Sequence, residues 1–266
     1  MSGSGRIALR VAVLGYLGFL LVAPVSLVFY RTFRHGFGPV WTALSNPDAV
    51  HALCLTVEIA LIAVPLNTLF GVCCAFAVVR YRLPGFGVVN TLVDLPLALS
   101  PVVVGLALFV LYGRGNAVGD WLTGHGVHVL FAMPGMLLAT IFVSLPFVVR
   151  EVVPVLREIG DEQEEAAATL GSSGLQTFRR VTLPSIRWAV TYGVVLTTAR
   201  ALGEIGAVSV VSGAIQGRTE TLTLFVQRSY ENFDPIGAYA GATVLASLAI
   251  FTLALMTVLQ RQRSCR

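Results

Sequence analysis

Arg200 and Glu204 have the residue types and spacing that most directly suggest chemistry, because they place opposite charges inside an otherwise apolar stretch. Residues four apart share one face of a helix, so the guanidinium and the carboxylate are expected to pair. A charge at membrane depth costs at least about 2.5–3.5 kcal/mol, so it must be paired or face water. Two roles are therefore open: a gate or pathway group that attracts an anion, or a self-neutralising contact between helices.

Small residues around this pair favour the contact role. Ala199, Gly203 and Ala207 recur every four residues and would form a stripe that lets a neighbouring helix approach closely. We therefore expect the pair to help pack its helix against a neighbour, and we keep the gate as the alternative.

Asp94 and two prolines mark a second candidate gate region. Asp94 lies near the cytoplasmic end of an apolar stretch, and Pro96 and Pro101 follow it. Proline removes a helical hydrogen bond, and a membrane helix tolerates this where neighbours or a water-lined cavity satisfy the backbone. The spacing predicts a helix that is broken between Pro96 and Pro101 and lines a pathway.

The motif content of the chain argues against an enzyme. There is no G-x-x-x-x-G-K-[ST] loop and no lysine, so the chain cannot form an ATP-hydrolysing phosphate loop. The apolar interior lacks histidine and a G-x-S-x-G motif, which argues against an intramembrane enzyme. The four cysteines lack metal-ligand spacing, and His125 and His128 are too few for a metal site. We expect no catalytic residue, metal or cofactor.

The composition predicts a protein embedded in a lipid bilayer. Hydrophobic residues make up 56% of the 266 residues and charged residues only 12%, whereas a soluble domain carries about a quarter charged residues. Six stretches reach the roughly 20 mainly apolar residues of a spanning helix; they lie near 9–30, 53–78, 89–112, 129–149, 188–212 and 237–259. We predict one all-α, six-span transmembrane domain over residues 1–266. The first span is longer than a signal-peptide core and lacks a small-x-small cleavage site, so we expect it to be retained.

The distribution of arginines predicts the orientation. All 18 basic residues are arginine, and no cluster is dense enough to suggest nucleic-acid binding. With a cytoplasmic N-terminus, 12 arginines, Arg82 and Arg266 among them, lie on the cytoplasmic side and 5 on the other, while Arg200 lies inside a span. This asymmetry follows the positive-inside rule and predicts that both termini are cytoplasmic.

The cytoplasmic segment between spans four and five, residues 150–187, is unusually long. It contains an acidic run and three alanines, which favour a helix, before Gly171 ends that helix. An amphipathic stretch over 175–181 then leads back to the membrane. The pattern predicts two short helices joined at a glycine elbow, and an ordinary solvated loop is the alternative.

This segment resembles the EAA loop of ABC importer permeases, whose pattern is E-A-A-x3-G-x9-I-x-L-P. The chain keeps the full spacing and replaces only the isoleucine, by valine. The matching residues are Glu165, Ala166, Ala167, Gly171, Val181, Leu183 and Pro184. The resemblance implies a type I ABC importer permease fold with a coupling helix that sits in a groove of a cytoplasmic ATPase. It also implies two ATPase subunits that bind ATP and Mg and drive alternating access.

Other segments resemble one type of permease within that family. Residues 199–207 resemble the A-R-A-x-G-E-[FY]-G block of oxyanion permeases, with Ile205 where an aromatic residue is usual. Five further stretches resemble the W-type subunit of the sulfate/thiosulfate importer; they are 94–96, 100–106, 145–154, 208–213 and 217–222. The resemblance implies a bacterial inner-membrane permease that works with a second sulfate permease subunit and an external sulfate-binding protein, either periplasmic or a lipoprotein.

Two alternatives to this interpretation remain open. Molybdate and tungstate permeases share the EAA loop and the R-x-x-x-E block, so they form the alternative substrate class. A secondary transporter usually shows internal repeats with paired broken helices. The sequence has no clear repeat, and an EAA loop serves no purpose without an ATPase.

Overall fold

The computed structural model describes residues 3–80 and 86–264, and all regular structure within these ranges is helical. Arg82 and Arg266, which contribute to the predicted orientation, lie outside the described residues. The helices are, in chain order, α1 (Gly3–Phe33), α2 (Phe37–Leu44), α3 (Pro47–Arg80), α4 (Phe86–Ala98), α5 (Pro101–Tyr112), α6 (Ala117–Gly124), α7 (Met133–Ile159), α8 (Glu162–Thr169), α9 (Gly174–Thr177), α10 (Leu183–Leu202), α11 (Gly206–Ser212), α12 (Leu222–Glu231) and α13 (Pro235–Ser264).

Four helices are long and apolar enough to cross a membrane by themselves. They are α1, α3, α7 and α13, whose most apolar windows have mean hydropathies of 2.0 to 2.3. Pro24, Pro65, Pro146 and Pro154 lie inside these helices, as membrane helices permit. Helix α7 continues ten residues beyond the predicted end of span four and therefore extends into the segment that the sequence predicts to be cytoplasmic.

Two further spans are bent pairs of helices. In the first pair, Thr91–Ala98 and Pro101–Tyr112 meet at an angle of 110°. If each bent pair counts as one span, the described residues contain up to six spans, as predicted. The first break lies at Leu99 and Ser100, between Pro96 and Pro101, which confirms the predicted interruption. Its cause is local, because Ser100 is extended, with ψ 136°, as expected for a residue before proline.

The second bent pair corrects the prediction for span five. The continuous helix Gly174–Leu202 contains α9, a π-helical turn (Phe178–Thr182) and α10, and it meets α11 at 51°. The predicted span over 188–212 is therefore two helices joined at a break rather than one straight helix. Gly203, a poor helix former, follows Leu202 at the break.

Helix α12 lies within a region that we expected to be a loop, residues 213–236. Thr221 is extended immediately before the helix begins. Leu222, Leu224 and Phe225 are buried, and α12 packs mainly against α13. This part of the chain is therefore folded onto the bundle, although its glycine and asparagine content is typical of a loop.

In the described residues the buried hydrophobic side chains form two large clusters, here called the proximal and distal cores, and two small ones. The proximal core lies near the α7–α8 corner and joins α3, α4, α7 and α10 around Val148, Val152 and Ile186. The distal core joins α3, α5, α7, α11 and α12 around Met136 and Val208. Each bent span therefore contributes one of its helices to each core.

Glycines permit the closest approaches between these helices. A Cβ added at Gly71 of α3 would lie 2.7 Å from Val148 Cβ, and one at Gly193 of α10 would lie 2.9 Å from Val148 Cα. Both helices thus contact the same residue of α7 at distances that only glycine allows. Such contacts replace the hydrophobic effect as the force that holds membrane helices together.

Candidate coupling segment and gate

The coupling segment, residues 160–173, connects α7 to the helix that begins at Gly174. Its helix α8 carries Glu162, Glu164 and Glu165 in the first turn, where carboxylates complement the helix dipole. Gly171 ends the segment's helical part with φ +84°, as predicted, and its amide donates to Ala168 O over 2.9 Å. A left-handed residue at this position is the usual glycine stop of a helix.

The second helix of the predicted elbow is not a short, separate helix. Ser173 accepts a hydrogen bond from Gln176 N while the Gln176 side chain accepts one from Ser173 N, which forms a capping box. From Gly174 the helix continues to Leu202. The π-helical turn lies just before Pro184, whose ring would clash with the carbonyl of residue 180 in a regular helix.

Arg80 holds the coupling segment against the bundle. Its Nε donates to Glu164 Oε2 over 2.9 Å, and its Nη2 donates to Gly160 O over 2.6 Å. Thr182 donates to Glu164 Oε1 over 2.7 Å. The ion pair of Arg80 and Glu164 therefore lies where α3 and α7 end, α8 begins and the chain enters α10.

Sequence reasoning missed this cluster. Glu164 belonged to an acidic run, and Arg80 was only one of the arginines that set the orientation. The two residues are 84 positions apart, and nothing in their local sequence indicates the contact. Of the two adjacent glutamates, Glu165 is exposed while Glu164 is partly buried in the ion pair.

Two exposed leucines flank the glycine elbow, one at the end of α8 in the coupling segment and one in the first turn of the next helix. Leu170 is 87% exposed and Leu175 is 78% exposed, one on each side of Gly171. Of the residues that match the EAA pattern, Ala166, Leu183 and Pro184 are also exposed. The elbow therefore presents a large apolar side chain on each side of Gly171.

Arg200 and Glu204 are paired, but not on one helix. Arg200 Nη1 lies 2.5 Å from Glu204 Oε2, although the approach lacks hydrogen-bond geometry and Oε2 has no hydrogen-bond donor among the described residues. Helix α10 ends at Leu202, so Glu204 lies in the break before α11. The expectation of a shared helix face is therefore wrong, while the pairing itself is confirmed.

Glu204 also caps the helix that follows it. Its Oε1 accepts a hydrogen bond from Ala207 N over 2.8 Å, and its main-chain oxygen accepts one from Thr223 over 2.9 Å. The side chain is 2% exposed, whereas that of Arg200 is 28% exposed. The buried Glu204 carboxylate thus binds the first turn of α11, and the more exposed Arg200 guanidinium neutralises the charge of that carboxylate.

The two bent spans contact each other at their breaks. A Cβ on Gly206 would lie 2.9 Å from Pro101 Cβ, and one on Gly105 would lie 2.7 Å from Ala207 O. The expected stripe is therefore only partly correct: Ala207 packs against α5, but Gly203 is exposed and approaches no other helix closely. The structure brings Pro101 close to the α10–α11 break.

Asp94 does not belong to this contact. Its Oδ1 accepts a hydrogen bond from Arg150 Nε over 2.9 Å, with both side chains substantially exposed. The pair links α4 to α7 on the proximal side of the break. The structure therefore separates Asp94 from the other gate candidates, Arg200, Glu204 and Pro101.

A further buried ion pair stabilises the segment between α11 and α12. Glu220, whose side chain is 1% exposed, accepts hydrogen bonds from Arg228 Nε over 2.5 Å and Arg228 Nη2 over 3.0 Å. This hydrogen bond to the Glu220 carboxylate raises the pKa of Arg228 above its ordinary value. This bidentate pair fixes α12, which in turn supplies Thr223 to the α10–α11 break.

The arrangement of helices is that of a known class of membrane transporter. It superposes on the crystal structure of a bacterial ABC transporter involved in the import of the acidic polysaccharide alginate with a TM-score of 0.78. The match covers 96% of this chain and 95% of that one at 17% sequence identity, which supports the fold alone. Fold and coupling segment together define a multi-pass permease subunit of an ABC importer, a transport protein rather than an enzyme.

Comparison of sequences gives the family. The model for the inner membrane component of binding-protein-dependent transport systems matches residues 67–264, and the chain belongs to this family. The sulfate transport system permease protein CysW of Escherichia coli K12 is 50% identical over 242 residues, 91% of this chain and 83% of that protein. The permease protein CysT of the same organism is 36% identical over 92% of this chain and 88% of that protein.

Proposed function

We propose that this chain is a permease subunit that carries sulfate, and thiosulfate with it, into the cell. The observation that supports this substrate is the 50% identity with a sulfate transport permease across nine-tenths of the chain. The oxyanion-permease block around Arg200 and Glu204 is consistent with it, because its charged pair is present and in contact.

The proposed transporter contains a second, different permease chain. Escherichia coli has both CysW and CysT, and both resemble this chain over more than 90% of its length. A heterodimer of two such chains would be completed by two ATPase subunits, which bind ATP and Mg, and by an external sulfate-binding protein. We propose that Leu170 and Leu175, with Glu165 and Ala166, form the surface that docks in the ATPase groove.

The proposed orientation places both termini and the coupling segment in the cytoplasm. The arginine asymmetry supports it. With this orientation the proximal core faces the ATPases and the distal core faces the binding protein.

The two cores suggest how ATPase motion reaches the transport pathway. A displacement of α8 would pull on Glu164 and, through it, on Arg80 and the start of the continuous helix that ends at Leu202. The proximal core would then move as a unit, while α5 and α11 remain with the distal core. The breaks at 99–100 and 203–205 are the hinges in this proposal, because each separates a helix that packs in the proximal core from a helix that packs in the distal core.

Arg200 and Glu204 have a primarily structural role in this proposal. Glu204 caps α11 and Arg200 neutralises it, so the pair sets the geometry of one hinge. The partly exposed guanidinium remains the alternative, as a group that attracts the anion.

Uptake of radiolabelled sulfate tests the proposed substrate. The chain, with its partner subunits, should restore uptake to a bacterial strain that lacks its own sulfate permeases. Excess unlabelled thiosulfate should compete, and molybdate should not. Uptake of molybdate but not sulfate would show that the substrate is molybdate, and the assignment to the permease class would stand.

A further inference from the structure

A basic pocket and an apolar groove lie next to each other where α1, α2 and α13 meet. The pocket has a volume of about 180 Å³ and is lined by Arg31, Arg34, His35 and Tyr239 with Thr32 and three apolar residues. The groove has a volume of about 510 Å³ and, apart from Thr243, is lined by apolar residues and a glycine. None of these lining residues is acidic.

The pocket holds uncompensated positive charge. Arg31 is held in place by Tyr239, because its Nη1 donates to the tyrosine hydroxyl over 3.3 Å and its Cζ lies 5.8 Å from the ring centre. Arg34 and His35 make no ion pair or hydrogen bond to another group in the part of the chain that the structure describes. A pocket with two arginines and no carboxylate is a site for an anion such as a phosphate.

The groove has the character of a lipid-facing surface. Phe37 is 76% exposed and Trp41 is 74% exposed, and both line it. Phe33 packs on Phe37 with ring centres 4.8 Å apart. Tryptophan is enriched at the membrane–water interface, and the two phenylalanines make the adjoining surface apolar.

The order of the two sites along α13 matches the depth order of a phospholipid. Ile236 and Tyr239 line the pocket, while Ala240, Thr243 and Val244 line the groove. At 1.5 Å per residue the groove lies roughly 8 Å farther along the helix. The apolar span of α13 begins at Pro235, which would put the pocket at headgroup level and the groove at the level of the acyl chains.

We propose that this combined site binds an anionic phospholipid. Its phosphate contacts Arg31 and Arg34, and one acyl chain lies along the groove past Phe37 and Trp41. A free oxyanion would use the pocket alone, whereas the adjoining groove selects a ligand with an apolar chain. A zwitterionic lipid would bring its own positive charge next to the three basic side chains of the pocket.

The lipid would stabilise the position of α1. Among the side chains of α1 that the structure describes, only Thr32 is buried, and its hydroxyl lies 2.7 Å from that of Thr243. The proposed ligand touches the residues on both sides of this contact. It would therefore join α1 to α13 at the one point where the first helix is firmly packed.

Native mass spectrometry and lipid titration test the proposal on the full-length chain, purified in mild detergent with any subunits that remain bound. The probes are dioleoyl phosphatidylglycerol, dioleoyl phosphatidylcholine with the same chains, and glycerol 1-phosphate as the headgroup alone. We expect phosphatidylglycerol to bind at least tenfold more tightly than either of the others. Equal affinity for both lipids would overturn the proposal, as would glycerol 1-phosphate binding as tightly as the anionic lipid.

Variants locate the site. An arginine near an anionic lipid contributes about fivefold in affinity, so Arg31→Gln with Arg34→Gln should weaken phosphatidylglycerol binding about 25-fold. Arg34→Gln alone should weaken it about fivefold, and this change removes no contact within the described protein. Arg114→Gln, at an exposed arginine in the α5–α6 connection, is the matched control and should leave binding within twofold of wild type. Unchanged binding in the double variant, or equal loss in the control, would overturn the assignment.

Discussion

Arg80 and Glu164 are joined by a hydrogen-bonded ion pair, with Arg80 Nε 2.9 Å from Glu164 Oε2. The arginine is the last residue of α3, and the glutamate lies in the first turn of α8. The side chains are 12% and 18% exposed, so solvent screens the pair only in part. The coupling helix is therefore attached to a membrane span other than the two that it connects.

We predict that breaking this pair uncouples the transporter without removing it from the membrane. Arg80→Gln leaves Glu164 partly buried beside an uncharged group. The free energy of unfolding should fall by about 2 kcal/mol, between the values for exposed and buried pairs. Sulfate uptake should fall at least tenfold, and membrane abundance should stay within twofold. Arg157→Gln is the control, because this arginine is exposed in the last turn of α7. Wild-type uptake in Arg80→Gln would contradict the anchoring role.

Gly171 should be sensitive to substitution because of its backbone conformation alone. Its φ is +84°, and a Cβ added there would meet no atom within 4 Å. Gly171→Val should therefore destabilise the elbow by about 1 kcal/mol or more, and Gly171→Asn by less, since asparagine tolerates this conformation. We expect loss of uptake and of ATPase co-purification with valine and partial retention with asparagine.

Gly174 provides the control for this measurement. It has open space around its Cα and no left-handed φ. Gly174→Ala should leave uptake unchanged. If Gly171→Val and Gly174→Ala behaved alike, backbone strain at the elbow would not be the cause.

The capping role of Glu204 changes what a double substitution should do. Arg200→Leu alone leaves a buried carboxylate unneutralised and should reduce membrane abundance, at a cost of several kcal/mol. Arg200→Leu with Glu204→Gln removes both charges but keeps an oxygen for Ala207 N, so abundance should recover. Arg200→Leu with Glu204→Leu also removes the cap and should recover less, by about 1 kcal/mol.

Transport by the same variants separates the structural role from the gate. Immunoblots of membranes give abundance, and labelled sulfate uptake gives activity. If the pair is structural, the Leu–Gln variant should be both abundant and active. An abundant but inactive or leaking Leu–Gln variant would instead assign Arg200 to the pathway, and fully active single variants would contradict both roles.

The contact between the two bent spans should not accept a single methyl group. A Cβ at Gly105 would lie 2.7 Å from the main-chain oxygen of Ala207, which cannot move without shifting α11. Gly105→Ala should destabilise the protein by about 1–3 kcal/mol, measured as a lower midpoint of thermal unfolding in detergent. Gly15→Ala, in α1 with open space around it, should leave the midpoint unchanged. Equal midpoints for both variants would mean that the hinge contact is loose.

The orientation can be read from two highly exposed positions. Leu170 is 87% exposed in the coupling segment, and Phe233 is 93% exposed between α12 and α13. In a variant without the native cysteines, an impermeant maleimide applied to intact cells should label Phe233→Cys but not Leu170→Cys. Labelling of Leu170→Cys in intact cells would overturn the cytoplasmic placement of the coupling segment.

The sequence alone determined the membrane class, the count of up to six spans and the end of a helix at Gly171. These features depend on local properties: lengths of apolar residues, the proline spacing around Leu99 and Ser100, and a glycine at the only turn that joins two helical patterns in the EAA segment. The positive φ of Gly171 follows from the same local logic, since glycine adopts it at little steric cost. A pattern that acts over neighbouring residues is readable without knowledge of the fold.

Tertiary structure alone decided which of the charged residues meet and where span five breaks. Arg80 and Glu164 are brought together by the packing of α3 against α7, and no local pattern encodes a contact across 84 positions. The spacing of Arg200 and Glu204 correctly predicted a pair, but it also fitted an unbroken helix. The break exists because Glu204 finds a second partner in Ala207 N and because Thr223 of α12 holds its main-chain oxygen. The first of these hydrogen bonds is local, but the second needs α12 to fold back onto the break, and only the folded chain reveals that contact.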